Sequence, residues 1–300
     1  MRFSPTSTSQ PVAVIGATGT QGSGVLSAML ATDHPVYALT RSAARLQHLQ
    51  KASLAVIDTD ITVPASVRTG LVGVWALFIN TLSDYSQPEG TEERLLKSLI
   101  DAAAQSGVEY LVMSTLPEGM PARAYIEKSR AMAYARKVAK KTQLKPIFVH
   151  MGWYMSGFSN HMNPVLNPID NVMEFRWSTI DENTFFPLVS AATDLGPVVR
   201  SILEHPDDWV GIEVPVVGDV LTAPQIAEVY SKVKGKAARA VFVDHIPQES
   251  LPSWTERHKG YREVGYFPKY VGREHEIPDF ARRLYPQMKS FEDWAVEVEF

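Results

Sequence analysis

From about residue 11 to residue 150, short runs of apolar, often β-branched residues alternate with segments whose apolar positions recur every three or four residues. The first kind reads as buried strands, the second as helices that carry the chain back to the same edge of a sheet. The pattern predicts strands at 12–15, 36–40, 55–57, 74–79, 110–113 and 147–150, and helices near 22–31, 42–50, 91–105 and 124–142. Strands that are apolar on both faces and joined by helices build parallel sheets, and right-handed crossovers wind such a sheet in both directions from its centre. The expected fold class is α/β, with a doubly wound parallel sheet over 11–150.

Beyond His150 the rhythm changes. Pro164, Pro168 and Pro187 interrupt it, and Trp153, Tyr154, Phe158, Phe175, Trp177, Phe185 and Phe186 gather in one stretch. Such a stretch suits the wall of a pocket for a flat organic substrate, because small-molecule pockets are mostly apolar with a few placed polar groups. Further on, DLGPVVRSILEHP reads as a helix and WVGIEVPVVG as a strand. LTAPQIAEVYSKVKG reads as a helix opened by Thr222 with Gly235 just past its end, and ARAVFVDHIP as another strand. The expectation for 151–300 is a smaller mixed α/β lobe on the substrate side, with some elements returning to the main sheet. Its last fifty residues read as packed cover ending in a helix, and residues 1–10, rich in Ser, Thr and Pro, as a loose tail.

The first strand runs into VAVIGATGTQGSG (12–24), where Gly16, Gly19 and Gly22 are spaced three apart between strand and helix. Bare backbone there can turn sharply, approach a pyrophosphate closely and let the helix pack on the strand, and the helix N-terminus offers unpaired amides to phosphate. Thr18, Thr20 and Gln21 fill the same loop. An acidic residue at the end of the second strand would bind an adenosine ribose, but here Arg41 follows Thr40, and a guanidinium at that place suits a 2′-phosphate. The plain alternative for Arg41 is a solvated loop residue. Ligands of open α/β sheets sit at the carboxyl ends of the strands. That rule puts Asp60 and Ile61 near an adenine, and Asn80 and Thr81 beside the phosphates and nicotinamide; each could equally be a turn residue.

Composition narrows the field. A formal net charge of −4 over 300 residues gives no general attraction to nucleic acid or anionic lipid. No cysteine is present, which removes disulfides, thiolate metal sites and cysteine nucleophiles. The eight histidines show neither H-x-x-x-H nor H-E-x-x-H spacing, so no metal is expected, and no G-x-S-x-G elbow suggests a hydrolase. With no apolar run near the roughly 20 residues that span a bilayer and no secretory signal pattern, a cytoplasmic location is expected.

VAVIGATGTQGSGV (12–25), VYALTRS (36–42), AVIDTDITVPASVRTGLVGVWALFINT (55–81), LIDAAAQSGVEYLVMSTLP (99–117), GWYMSGF (152–158) and TDLGPVVRSIL (193–203) together resemble the NmrA-like family, atypical members of the short-chain dehydrogenase/reductase group. The resemblance implies a Rossmann-type domain, NADP(H) preferred through an arginine matching Arg41, and a smaller C-terminal lobe. It covers reductases, quinone oxidoreductases and redox-sensing regulators. The Tyr-x-x-x-Lys pair of typical short-chain dehydrogenases is missing from the helix expected to carry it, near 124–142: Tyr125 has Ser129 four positions on and Tyr134 has Val138. Lys128 matches the position where reductase relatives carry a lysine that binds the nicotinamide ribose and takes part in proton transfer. Ser114 and Thr115 resemble the hydroxyl position that orients a substrate oxygen. Tyr154 is a further phenol for the pocket; a packed aromatic is its alternative. Lys128 has two alternatives, an exposed helix lysine or a ribose ligand without acid–base work, whereas Lys137, Lys140, Lys141 and Lys145 read as the solvated end of that helix. The expected function is NADP(H)-dependent reduction of a small, fairly apolar carbonyl, imine, enone or quinone. The alternative is an NADP(H)-sensing regulator that binds a protein partner; a homodimer is compatible with either.

Overall fold

The computed structural model describes residues 10–49, 51–247 and 251–300, so the tail expected over 1–10 lies, apart from Gln10, outside the described residues. In chain order the elements are β1 (Val12–Ile15), α1 (Thr20–Met29), β2 (Val36–Thr40), β3 (Leu54–Asp58), α2 (Pro64–Gly70), β4 (Ala76–Ile79), α3 (Thr91–Gln105), β5 (Tyr110–Thr115), α4 (Arg123–Ala139) and β6 (Lys145–Met151). They continue with β7 (Trp153–Tyr154), β8 (Val165–Asn167), β9 (Val172–Trp177), β10 (Phe185–Val189), α5 (Leu195–Glu204), β11 (Glu213–Val216), β12 (Asp219–Thr222), α6 (Ala223–Lys234), β13 (Ala238–Phe242), α7 (Pro252–Val264), α8 (Ile277–Leu284) and α9 (Phe291–Glu297). The chain divides into two compact units. One takes in the residues up to Leu116 with Glu127–His150 and Ala191–Val214; the other takes in Pro117–Ile126, Met151–Ser190 and Pro215–Phe300.

The first unit carries a seven-stranded sheet in the order β11-β6-β5-β4-β1-β2-β3. β1 pairs in parallel with β2 (Val12 opposite Val36) and with β4 (Val12 opposite Ala76), so the chain reverses its winding direction at β1. That switch point is where open α/β sheets bind ligands. β1, β2 and β4 are buried along their whole length, as the uninterrupted apolar runs require. The six expected strands are all present, and β11 adds a seventh beside β6.

The helices depart from expectation in three places. No α-helix fills 42–50: Ala43–Leu46 forms a single 3-10 turn in which only Leu46 is buried, and Gln50 lies outside the described residues. One anchoring residue leaves a short helix without the packing that offsets its nucleation cost. α2 was not anticipated; its signal is modest, Pro64 in the first turn and the buried Val67. Lys145 does not belong to the end of α4. It opens β6, and its ammonium bonds Glu109 (3.0 Å), Tyr110 (3.1 Å) and Asp207 (2.7 Å), partners that raise its pKa.

The second unit holds two three-stranded sheets, β12-β10-β7 and β13-β9-β8, with α6 to α9. Thr222 and Gln225 form the capping box that opens α6, and Gly235 closes it in the left-handed conformation, as the sequence predicts. The aromatic stretch does not serve as expected. Phe158, Phe175, Trp177 and Phe186 are buried to within 2 % and pack on one another, Trp177 stacking on Phe186 at 4.8 Å and Phe158 meeting Phe175, Trp177 and Phe291 edge-on. These rings are the core of the second unit; only Phe185 of the four phenylalanines in the stretch is exposed. A lobe built from short strands needs large side chains to exclude water, and aromatic rings supply that area.

Candidate functional site

The site in the first unit begins where β1 ends. Gly16 adopts φ +79°, a left-handed turn that a side chain would strain, and its carbonyl accepts the Gly19 amide at 2.9 Å. Gly19 then caps α1 without a side-chain hydrogen bond, and no acidic residue stands in the first turn of the helix. The turn holds α1 so close that a Cβ built on Gly22 would lie 2.1 Å from the Gly16 carbonyl oxygen. The loop is therefore a cradle of bare main chain facing the switch point, with helix amides and the positive end of the helix dipole directed at whatever anion enters. Of the other loop residues, Gln21 is buried, Thr18 half-buried and Thr20 exposed.

Arg41 stands exposed directly after β2. The next strand end lies beside it, since the Thr59 amide bonds the Thr40 carbonyl at 3.2 Å. Asp60 spends its carboxylate on a turn, accepting the Thr62 amide (2.9 Å) and hydroxyl (2.7 Å), while its own amide bonds Ser66 (3.1 Å). The Thr62 hydroxyl and amide hold the Asp60 carboxyl below its ordinary range, and the Arg41 guanidinium adds to the same effect. Ile61 packs against the core under the sheet. A charge-assisted bond between a guanidinium and a phosphate is worth about 1.5 to 3 kcal/mol. Arg41→Ala is accordingly expected to weaken NADPH about 10- to 100-fold while leaving NADH within about threefold. Paired titrations of the two cofactors check this, and an equal loss for both would remove Arg41 from 2′-phosphate recognition.

The third part of the site joins β4 to α4. Asn80, at the end of β4, lies against the turn, its carbonyl oxygen 3.3 Å from where a Gly16 Cβ would be. The next residue, Thr81, is buried and donates its hydroxyl to Glu92 at 2.6 Å. Lys128 is not an exposed helix residue: it is only 6 % exposed, forms a buried ion pair with Glu92 Oε1 and reaches Thr81 Oγ1 at 3.4 Å. Ser83 completes the group by donating to Glu92 Oε2 at 2.5 Å. Ser114 and Thr115 are buried at the end of β5, and the Thr115 hydroxyl donates to the Val149 carbonyl at 3.3 Å. Lys128 is thus tied through Thr81 and Asn80 to the glycine turn.

Tyr154 belongs to the second unit, half-buried on β7 opposite Val189 of β10. Nearby lie three fully buried tyrosines, Tyr125, Tyr261 and Tyr266, with Tyr125 and Tyr261 hydroxyls 3.2 Å apart and Tyr266 donating to the Met151 carbonyl at 2.9 Å. Burial, above all, pushes all three phenols up in pKa. Among the described residues no group of histidines and carboxylates could hold a metal ion, and no helix is long and apolar enough to cross a membrane.

Sequence reasoning missed Glu92, Ser83 and Glu127. Glu127 is buried and accepts the Gly90 amide (2.9 Å) and the Glu93 amide (3.2 Å), capping α3 from outside that helix. Glu92 reads in the sequence as an acid complementing a helix dipole. It nevertheless falls on the same helical face as Leu96, Leu99 and Ala103, all buried, and a carboxylate on an apolar face needs a buried partner.

Comparison with known proteins agrees with this architecture. The oxidoreductase cpsB of Aspergillus campestris, described as containing an NmrA-like family domain, is 29% identical over 262 residues, spanning 79% of this chain and 76% of the relative. A similar oxidoreductase of Aspergillus flavus, lnbB, is 28% identical over 283 residues, or 86% of this chain and 81% of the relative. Among solved structures, the negative transcriptional regulator NmrA in complex with NADP superposes with a TM-score of 0.79 at 23% identity, covering 97% of this chain and 96% of that one. The NADPH-dependent quinone oxidoreductase of Escherichia coli, in complex with NADPH, superposes with a TM-score of 0.74 at 20% identity, covering 95% and 98%. The NmrA-like family profile matches residues 8–295, nearly the whole length, and this chain belongs to the NmrA-like family.

Proposed function

We propose that the protein is an NADP(H)-dependent oxidoreductase acting on a small, fairly apolar carbonyl, imine, enone or quinone. The observation that carries the reading is the buried cation of Lys128, held at the carboxyl end of β4 and tied through Thr81 and Asn80 to the glycine turn. The residues present fit a dinucleotide. The Gly16 to Gly22 loop, with no room for a Cβ at Gly22, would take the diphosphate, Arg41 would take the 2′-phosphate, and Lys128 with Asn80 would face the nicotinamide half. The cofactor, when bound, supplies a hydride.

Lys128 supplies what a hydride acceptor needs next, a proton donor close to the developing oxyanion. Its ammonium is held by Glu92 and Thr81, and it has three N–H bonds, so one remains for a ribose hydroxyl or a substrate oxygen. Four rings of the aromatic stretch, Phe158, Phe175, Trp177 and Phe186, fill a core and carry no argument for a substrate pocket, while Trp153 and Tyr154 are half-buried and Phe185 is exposed. The names of the fungal oxidoreductases and of the quinone oxidoreductase support the enzymatic reading.

The test is NADPH oxidation by the purified protein against a panel of quinones and enones. Turnover is expected with at least one of them, and Lys128→Met is expected to lower the rate about 100-fold, the usual range for a lost general acid. A second reading, an NADP(H)-sensing regulator, is favoured by the lack of a Tyr-x-x-x-Lys pair in α4 and by the fold shared with NmrA. Firm NADPH binding with no turnover across the panel, and an affinity that differs between NADP and NADPH, is the result that would put the regulator in place of the enzyme.

A further inference from the structure

We infer that Glu92 is a positioning residue that fixes Lys128 and Thr81 together for the cofactor, an assignment resting on the reading above. Both its oxygens are engaged. Oε1 accepts Thr81 and the Lys128 ammonium, and Oε2 accepts Ser83. Because the Thr81 hydroxyl gives its proton to Glu92, its lone pairs face Lys128, so the donors and acceptors of the group run in one direction and end on the carboxylate. Lys128 alone, of the groups that end on this carboxylate, retains protons for a ligand.

The adjacent residue does the complementary work. Glu127 takes the amides of Gly90 and Glu93 while Lys128 takes the Glu92 carboxylate, so two consecutive side chains of α4, of opposite charge, grip the first turn of α3. The segment between β4 and α3 is consequently fastened at both ends, near Thr81 and Ser83 through Glu92 and at Gly90 through Glu127. With Glu92 at 5 % and Lys128 at 6 % exposure, neither charge is solvated on its own, and each needs the other. Removing the carboxylate therefore frees the Lys128 ammonium, which would face the cofactor, the Thr81 hydroxyl beside it and the start of the loop beyond.

The experiment is a double-mutant cycle on the full chain, with Glu92→Gln, Lys128→Met and the double variant, read by NADPH affinity and by the fluorescence of bound NADPH. Wild-type binding of NADPH comes first and tests the underlying reading by itself. Glu92→Gln and Lys128→Met are each expected to weaken NADPH about tenfold and to alter the bound nicotinamide fluorescence in the same way. The double variant, which buries no unpaired charge, is expected to bind no more weakly than Lys128→Met and to regain thermal stability lost in Glu92→Gln. If Glu92→Gln does not fold, the comparison of the double variant with Lys128→Met decides. Affinity for NADPH equal to that of Lys128→Met supports positioning. Losses that multiply, or a folded Glu92→Gln with wild-type affinity and fluorescence, overturn it.

Discussion

Gly22→Ala is expected to weaken NADPH binding by about 100-fold or more. Its Cβ would lie 2.1 Å from the Gly16 carbonyl oxygen, 2.5 Å from the Gly16 carbonyl carbon and 2.9 Å from the Ala17 nitrogen. Carbon atoms settle at about 3.5 to 4.0 Å, so the turn and the helix must part by more than about 1 Å. All three obstacles are backbone, which cannot swing away as the end of a side chain does. The displaced carbonyl belongs to the residue that holds the turn through the Gly19 amide, and the amides of α1 move with it. Gly19→Ala is the internal control for the apo fold. There the Cβ meets the Gly16 oxygen at 3.4 Å, an ordinary contact, and thermal stability without cofactor should hardly change. Thermal denaturation and a fluorescence titration of both variants measure the contrast; a Gly22→Ala protein that binds NADPH like the wild type would remove the cradle from the account.

The second large effect concerns stability in mild acid. His258 is fully buried in the second unit, its ring 4.0 Å from Trp254, 5.1 Å from Trp153 and 5.7 Å from Tyr261. Burial, reinforced by the positive charge of Arg257, pushes its pKa down to about 3 from an ordinary 6.5. Between those values the unfolded chain binds a proton that the folded chain refuses. The stabilising contribution is therefore complete above pH 6.5 and falls as pH drops, by about 1.4 kcal/mol per pH unit, a total of several kcal/mol near pH 3. His161, an exposed residue whose ring lies edge-on to Trp254, shifts the same way, through the desolvation of its ring and the Arg257 charge. Carboxylates such as Asp60 and Asp293, held below their ordinary range by hydrogen bonds, join only at lower pH. Denaturant unfolding from pH 7 to pH 5 isolates the histidines. His258→Phe should flatten the slope, keeping the cage filled with an aromatic ring. An unchanged slope would mean that His258 takes up its proton in the folded state.

The sheet was legible because parallel strands buried on both faces leave an unbroken apolar run, as β1 and β2 do, and because Gly16, Gly19 and Gly22 stand where a strand meets a helix. The segment 42–50 was misjudged because apolar spacing alone does not say whether a face has anything to pack against, and within Ala43–Leu46 Leu46 alone is buried. The aromatic stretch was misjudged for a related reason. A cluster of rings reads alike whether it lines a pocket or fills a core, and the second unit needed Phe158, Trp177 and Phe186 to exclude water. Lys128 could be assigned by resemblance, but its burial and its pairing with Glu92, thirty-six positions away, depend on tertiary contact that no local pattern records.

In the proposed enzyme the main-chain turn after β1 and the guanidinium after β2 together hold NADP(H). Titration calorimetry of the purified full chain with NADPH and with NADH addresses it directly. One site per chain is expected, tighter for NADPH than for NADH by about tenfold or more. A well-folded protein that takes up neither dinucleotide would contradict it.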